Sequence, residues 1–257
     1  MTIKNIFLAS IFLTGCVFKI EPTKYNHPKT DSAEIKAVLV GVENGFAGKC
    51  IGSLKDVQIM SSMLNECGVT QIVSLVDTQA TFQNVKIALE NASNAELMIF
   101  YYSGHGGSLP TTNLVNEVDG YDECLCLYDT IMKDDQIWEI ISKCKNKAFL
   151  IFDSCHSQTM FRSPMISMAN NSPILFSSSN SNNTFSMLCW SGCPDDYSSY
   201  GSSNGGFFTT TIKKYFRSDV SYEQIWKNVK NDRTLKKKQT CVCTEIGKSF
   251  SGNSIFR

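Results

Sequence analysis

The sequence of 257 residues carries 24 basic and 24 acidic side chains, so its formal net charge at neutral pH is zero. Hydrophobic residues make up 42% of the chain, enough for an ordinary core, and the balanced charge offers no basic field for nucleic acid. No apolar run reaches the roughly 18 residues that cross a bilayer. These values favour a folded domain, which we expect to be a monomer.

Residues 1–15 have the features of a signal peptide: a single lysine, an apolar run at 6–13 and then small residues. The ending Leu-Thr-Gly-Cys at 13–16 resembles the lipobox of bacterial lipoproteins. That resemblance implies an exported protein, on the periplasmic or cell-surface side, whose membrane anchor is a lipid on Cys16. The alternatives are an ordinary signal with an incidental cysteine, or a buried strand. Residues 16–34 are polar and predict a tether, which leaves 35–257 as the folded domain.

Hydrophobic periodicity predicts alternating strands and helices in this domain. Apolar runs indicate strands at residues 35–42, 71–77, 96–103, 147–153 and 173–178, with a last strand at 240–246. Helical spacing indicates helices at residues 53–67, 82–92, 134–143, 207–216 and 222–232. Ser53 is placed to cap the first helix and Gly68 to end it. The region after residue 103 is predicted as a loop, and 235–238 as a solvated turn. The alternation predicts an α/β fold with a mostly parallel central sheet and helices on both faces.

Two of the predicted strands end in residues that can carry chemistry. Ser-Gly-His-Gly follows the third strand at 103–106, and Asp-Ser-Cys-His follows the fourth at 153–156. If these strands are neighbours, the His105 imidazole and the Cys155 thiol lie side by side, as a thiol nucleophile and its acid–base partner require. Backbone N–H groups of Gly106 and Cys155 are candidates for an oxyanion hole. His156 is the weaker base candidate. The alternative is a buried cysteine and a core histidine on an unrelated α/β fold.

Tyr-Ser-Gly-His-Gly and Asp-Ser-Cys-His-Ser, with 50 residues between His105 and Cys155, resemble motifs of metacaspases, caspase-like cysteine peptidases. The segments at 119–125, 134–135 and 206–209 are similar to metacaspase segments and occur in the same order. The chain lacks the Gln-Ala-Cys-x-Gly motif of true caspases. The resemblance implies a caspase-like fold and a cysteine endopeptidase. The rival interpretation is a catalytically silent protein of this fold that captures basic peptides at a membrane surface.

The resemblance also implies a substrate pocket that accepts Arg or Lys before the scissile bond. Its lining corresponds here to Ser53, Asp56, Ser103 and Asp153. Two carboxylates attract a cationic side chain and repel an acidic one, so the expected partner is a peptide or protein with basic residues. Two alternatives remain: Asp56 faces solvent while Asp153 merely ends a strand, or the peptidase prefers Asp.

Many metacaspases need calcium, and the resemblance places possible calcium ligands at Asp122, Asp134 and Asp135. Arg162 stands where a fourth acid is expected. The alternative is that Asp134 and Asp135 bind no metal and simply begin a helix. The chemistry itself requires no cofactor. The 11 cysteines are odd in number and lack zinc-ligand spacing, so some could form disulfides in an exported protein while at least one stays unpaired.

Overall fold

The computed structural model describes residues 34–111, 121–155, 185–193 and 201–254. Several predictions concern residues outside these ranges: the signal peptide, the tether, Cys16, His156, Arg162 and the strand at 173–178. They stay predictions.

The strands are β1 (Ile35–Gly41), β2 (Asn44–Gly45), β3 (Gly48–Lys49), β4 (Gln71–Val76), β5 (Leu97–Ser103), β6 (Gly106–Pro110), β7 (Tyr121–Cys126), β8 (Ile131–Lys133), β9 (Lys147–Asp153), β10 (Ser186–Ser191), β11 (Gly201–Ser202), β12 (Gly205–Gly206) and β13 (Val242–Gly247). The helices are α1 (Ser53–Glu66), α2 (Phe82–Ala92), α3 (Asp134–Ile141), α4 (Phe207–Tyr215), α5 (Tyr222–Asn231) and α6 (Arg233–Lys236). In the described part of the chain, no helix is long and apolar enough to cross a membrane.

A six-stranded sheet in the order β13-β10-β9-β5-β1-β4 organises the domain. Every neighbouring pair is parallel except β10 and β13. The central strands β5 and β9 are buried along nearly their whole length, because helices cover both faces and both sets of alternating side chains must be apolar. The predicted α/β class and mostly parallel sheet are therefore confirmed.

Two hydrophobic cores lie on opposite faces of the sheet. One joins the sheet to α2 and α3, and the other joins it to α1, α4 and α5. In the second core the Trp190 indole packs edge-on against the Phe149 ring, 4.7 Å away between centroids, and lies 5.4 Å from the Trp226 ring. These tryptophans are core residues, and the two cores hold the strands that end at the site.

The structure differs from the predicted elements at several places. The predicted loop after residue 103 contains the three-stranded sheet β6-β7-β8, and the predicted turn at 235–238 overlaps the short helix α6. Ser53 is not the cap of α1: Gly52 holds that position at φ +106°, and Ser53 is the first helical residue. A glycine suits this left-handed conformation because it has no Cβ to clash. Gly68 follows the end of α1, as predicted.

Candidate active site

The carboxyl ends of β1, β5 and β9 meet at one edge of the sheet. The register sets Gly41 beside Ser103 and Ser103 beside Asp153. In open parallel sheets, ligands bind at this edge where the strand order reverses, and here the chain moves from β4 on one side of β1 to β5 on the other. The two predicted catalytic segments, at 103–106 and 153–155, thus leave adjacent strands side by side.

The segments that carry His105 and Cys155 are in direct backbone contact. An added β-carbon on Gly106 would overlap the carbonyl oxygen of Cys155, so only glycine allows this approach. Cys155 is a half-buried free thiol, and His105 is also half-buried. The buried Cys193 Sγ donates to the carbonyl oxygen of Ser154, the residue before Cys155, at 3.0 Å. The backbone segments that carry the predicted dyad and the two predicted oxyanion donors therefore lie side by side. The dyad itself stays a prediction.

The predicted pocket residues Asp56 and Ser103 are hydrogen-bonded to each other. Ser103 Oγ donates to Asp56 Oδ2 at 2.8 Å, and the Gly206 N–H donates to Asp56 Oδ1 at 2.7 Å. Only 2% of Asp56 is exposed, so the solvent-facing alternative for this residue is wrong. Both of these donors are neutral, and the buried carboxyl group therefore gains hydrogen bonds without a neutralising charge from either one.

Asp153 receives two hydrogen bonds from the first turn of α4. Thr209 donates to Asp153 Oδ2 through its backbone N–H at 3.1 Å and through its hydroxyl at 2.7 Å. An added β-carbon on Gly206, just before α4, would overlap the same carboxylate oxygen. The helix N-terminus carries a partial positive charge, which favours a carboxylate at this position. Asp153 therefore does more than end a strand.

The electrostatics of the two acids are coupled. Burial, followed by the negative charge of Asp153, raises the pKa of Asp56 to about 8, although the bonds from Gly206 and Ser103 oppose this shift. Near neutral pH the pair therefore tends to hold a proton, because two carboxylates in a desolvated site cannot both ionise easily.

Ser53 and Cys50 form one wall beside these acids. Ser53 is buried, and its hydroxyl donates to the carbonyl oxygen of Cys50 at 3.1 Å. Burial raises the pKa of the Cys50 thiol, and the charges of Asp153, Cys155 and Asp56 add to that rise. Cys50 thus lies close to both buried acids and to Cys155, which its sequence position does not indicate. All ten cysteines in the described ranges are free thiols.

The three predicted calcium ligands are placed near β8, without forming a calcium site as they stand. The buried carboxylate of Asp122 pairs with the Lys133 ammonium at 2.5 Å. Asp134 and Asp135 are the first two residues of α3. Among the described residues, no group of three or more acidic, histidine or cysteine side chains could hold a metal ion. Calcium activation stays a prediction, and no catalytic step depends on it here.

Sequence reasoning assigned no role to several residues that support the site. They are Cys50, Gly206 and Thr209, together with Gly205, which lies against the Asp56 carboxyl group, and Tyr101 and Tyr102, whose hydroxyls contact Thr209 and the His105 carbonyl oxygen. A partial signal was present, since Gly-Gly precedes the helix that begins at residue 207 and a glycine pair lets a backbone approach other groups closely. Nothing local indicates that this helix faces Asp56, which lies 150 residues away from Gly206 in the chain.

Replacing Asp56 by Asn should change how stability depends on pH. Between the ordinary value of 3.8 and about 8, the folded chain keeps a proton on Asp56 that the unfolded chain has lost. The residue's contribution to the free energy of unfolding therefore falls as pH rises. The free energy of unfolding of Asp56→Asn, measured by urea unfolding and expressed relative to wild type, should therefore rise by at least about 1 kcal/mol from about pH 5 to about pH 8.5.

Asp232→Asn is the matched control, because Lys214 lowers the pKa of Asp232 to about 2. The contribution of Asp232 is lost only as pH falls through that region, so its variant should differ from wild type by a constant amount above about pH 5. If the free energy of unfolding of Asp56→Asn also differed from that of wild type by a constant amount over this pH range, Asp56 would not hold the proton.

The profile of the Caspase domain family matches residues 35–250. Metacaspase-4 of Arabidopsis thaliana is 33% identical over 138 residues, covering 48% of this chain and 33% of that protein. Metacaspase-1 of Mycosarcoma maydis is 31% identical over 153 residues, covering 51% and 37%. The matches thus span about a third of the length of these curated relatives.

A crystal structure of a Geobacter sulfurreducens protein shares the fold. It superposes with a TM-score of 0.68 at 22% identity, covering 87% of this chain and 98% of that one. At this identity the likeness establishes the fold alone. The family profile covers most of the chain, and its match includes both strand-end motifs. The chain therefore belongs to the family of caspase-domain cysteine peptidases.

Proposed function

We propose that this protein is a cysteine endopeptidase of metacaspase type that cleaves peptide bonds after Arg or Lys. One observation carries the specificity: the buried Asp56 carboxyl group, raised in pKa by burial and by Asp153, lies at the sheet edge where Cys155 follows two residues after Asp153. Family membership and the contact between Gly106 and Cys155 support the peptidase chemistry.

In the proposed reaction, Cys155 Sγ attacks the carbonyl carbon of the scissile bond and forms a carbon–sulfur bond. His105 takes the thiol proton and later gives it to the leaving amine as the carbon–nitrogen bond breaks. A water molecule, deprotonated by His105, then attacks the thioester and releases the carboxylic acid and the free thiol. The N–H groups of Gly106 and Cys155 are proposed to stabilise the oxyanion.

Selection of a basic side chain follows from charge. Unit charges of opposite sign attract by about 4 kcal/mol at 4 Å for an effective dielectric constant near 20. A guanidinium or ammonium between Asp56 and Asp153 would gain this attraction and allow both acids to ionise. An aspartate side chain would meet repulsion of the same order. The pocket therefore favours Arg and Lys over Asp.

Matched fluorogenic peptides with Arg, Lys or Asp before the scissile bond test this proposal. Purified wild-type protein should cleave the Arg and Lys peptides, and Cys155→Ala should abolish cleavage while leaving the melting temperature within a few degrees of wild type. Asp56→Asn should lower kcat/KM for the Arg peptide by about tenfold or more, because one carboxylate is removed from the pocket.

The control variant is Asp77→Asn. Asp77 is a half-buried aspartate just after β4, and its carboxylate accepts hydrogen bonds from the backbone N–H groups of Glu43 and Asn44. It should cleave the Arg peptide at the wild-type rate. Preferential cleavage of the Asp peptide would overturn the pocket assignment and retain the dyad. No cleavage of any peptide by folded protein with a reduced Cys155 would instead favour the catalytically silent binding protein.

We propose that calcium acts as an activator that competes with Lys133 for Asp122. Removing the ammonium in Lys133→Met should leave the buried Asp122 carboxylate to attract a divalent ion more strongly. Calcium at millimolar concentration should therefore raise the melting temperature of Lys133→Met more than that of wild type. Lys143→Met, which removes an exposed pair with Glu139, is the control. Equal responses in all three proteins would eliminate this cluster as a calcium site.

We also propose that Cys16 anchors the exported protein to a membrane through a lipid. Bacteria that express the full chain should incorporate labelled fatty acid into wild type, and Cys16→Ser should abolish both this labelling and sedimentation with membranes. Cys67→Ser, at a half-buried thiol in the folded domain, should retain both properties. Labelling that persists in Cys16→Ser would contradict the anchor.

A further inference from the structure

Two consecutive tyrosines of β5 lie immediately behind the site. Tyr101 and Tyr102 are both fully buried and belong to different cores, since successive side chains of a strand point to opposite faces of the sheet. A buried phenol hydroxyl requires a hydrogen-bond partner. Each of these hydroxyls finds its partner among the residues that hold the proposed active site.

The Tyr102 hydroxyl holds the segment that carries His105. It lies 2.7 Å from the carbonyl oxygen of His105 and 2.8 Å from that of Cys126, so its one proton is shared between two acceptors. The Cys126 N–H donates to the same His105 oxygen at 2.9 Å. An added β-carbon on Gly104 would overlap the Tyr102 hydroxyl. The chain therefore wraps closely around this phenol just before His105.

The Tyr101 hydroxyl reaches the pocket on the other side. It lies 2.6 Å from Thr209 Oγ1, which itself donates to Asp153 Oδ2 at 2.7 Å. Because the Thr209 proton is used on the carboxylate, Tyr101 is the donor in the first bond. Two consecutive hydrogen bonds thus connect Tyr101, in the central sheet, to Asp153 through Thr209. They orient the Thr209 hydroxyl toward the Asp153 carboxylate.

We infer that Tyr102 is a positioning residue for His105 and that Tyr101, through Thr209, is a positioning residue for Asp153. The inference rests on the proposed function. In β5, the Tyr102 hydroxyl thus supports turnover, and the Tyr101 hydroxyl supports selection of the basic side chain. Neither tyrosine touches the substrate, and each acts through the backbone or side chain it holds.

The phenylalanine variants separate the two roles, and each is the control for the other. Each variant removes one buried hydroxyl and leaves the volume of the side chain nearly unchanged, and the two positions are adjacent in the strand. Tyr102→Phe should lower kcat for the Arg peptide by about three- to tenfold with KM little changed, the scale of one lost hydrogen bond. Tyr101→Phe should raise KM by a similar factor with kcat little changed, and Thr209→Val should raise KM further.

Two measurements read the same roles without peptide cleavage. Tyr102→Phe should change the rate at which iodoacetamide alkylates Cys155, because the imidazole beside the thiol moves. Tyr101→Phe should leave that rate unchanged and weaken the binding of N-acetyl-arginine amide, followed by calorimetry. Melting temperatures identify any variant that has lost its fold. Tyr102→Leu and Thr209→Ala, which also remove the hydroxyl without adding volume, then serve as replacements.

The outcomes distinguish failure of this inference from failure of the proposed function. Wild type that alkylates and binds the arginine amide without cleaving peptides would refute the peptidase, and the variants would still be compared by alkylation and binding. The same shift in both variants, in whichever parameter it occurs, would overturn the division of roles. So would an unchanged alkylation rate in Tyr102→Phe or unchanged binding in Tyr101→Phe.

Discussion

The burial of two acidic side chains next to each other is the most demanding feature of this domain. Asp56 comes from α1 and Asp153 from β9, and desolvation of both would be unfavourable without donors aimed at them. The start of α4 supplies those donors through Gly206 and Thr209. Gly205 and Gly206 leave no room for β-carbons beside the acids. Helix, strand and loop must therefore pack together before both acids can be buried.

The same sheet edge carries the segments that contain His105 and Cys155. Parallel pairing of β5 with β9 fixes the level at which both chains leave the sheet, and Gly106 lets them approach within backbone contact. The strands that end here are apolar and buried, and each is packed between two layers of helices. Close packing of this kind restricts the movement of the sheet edge. Residues that directly follow these strand ends are thus positioned by the core, while the Cys155 thiol remains half-buried.

Much of this arrangement could be predicted from the sequence. Long apolar runs reveal strands buried on both faces, so β9 was predicted with its observed bounds, and the motifs around His105 and Cys155 identify the sheet edge. The hairpin strand β6 is short, glycine-rich and half-exposed, so no period distinguishes it from a loop. The bond from Gly206 to Asp56 joins residues 150 positions apart, and local patterns contain no information about such pairings.

The alternation of Tyr101 and Tyr102 across the pleat makes the domain sensitive to strand length. A one-residue deletion or insertion within β5 would invert every side chain beyond it, exchanging the layers that the two phenols enter and turning Ser103 away from Asp56. Insertions or deletions in the connection between β6 and β7 would leave the alternation of side chains along β5 unchanged. Divergence among related chains should therefore accumulate in that connection, while β5 tolerates substitution of residues but no change in their number.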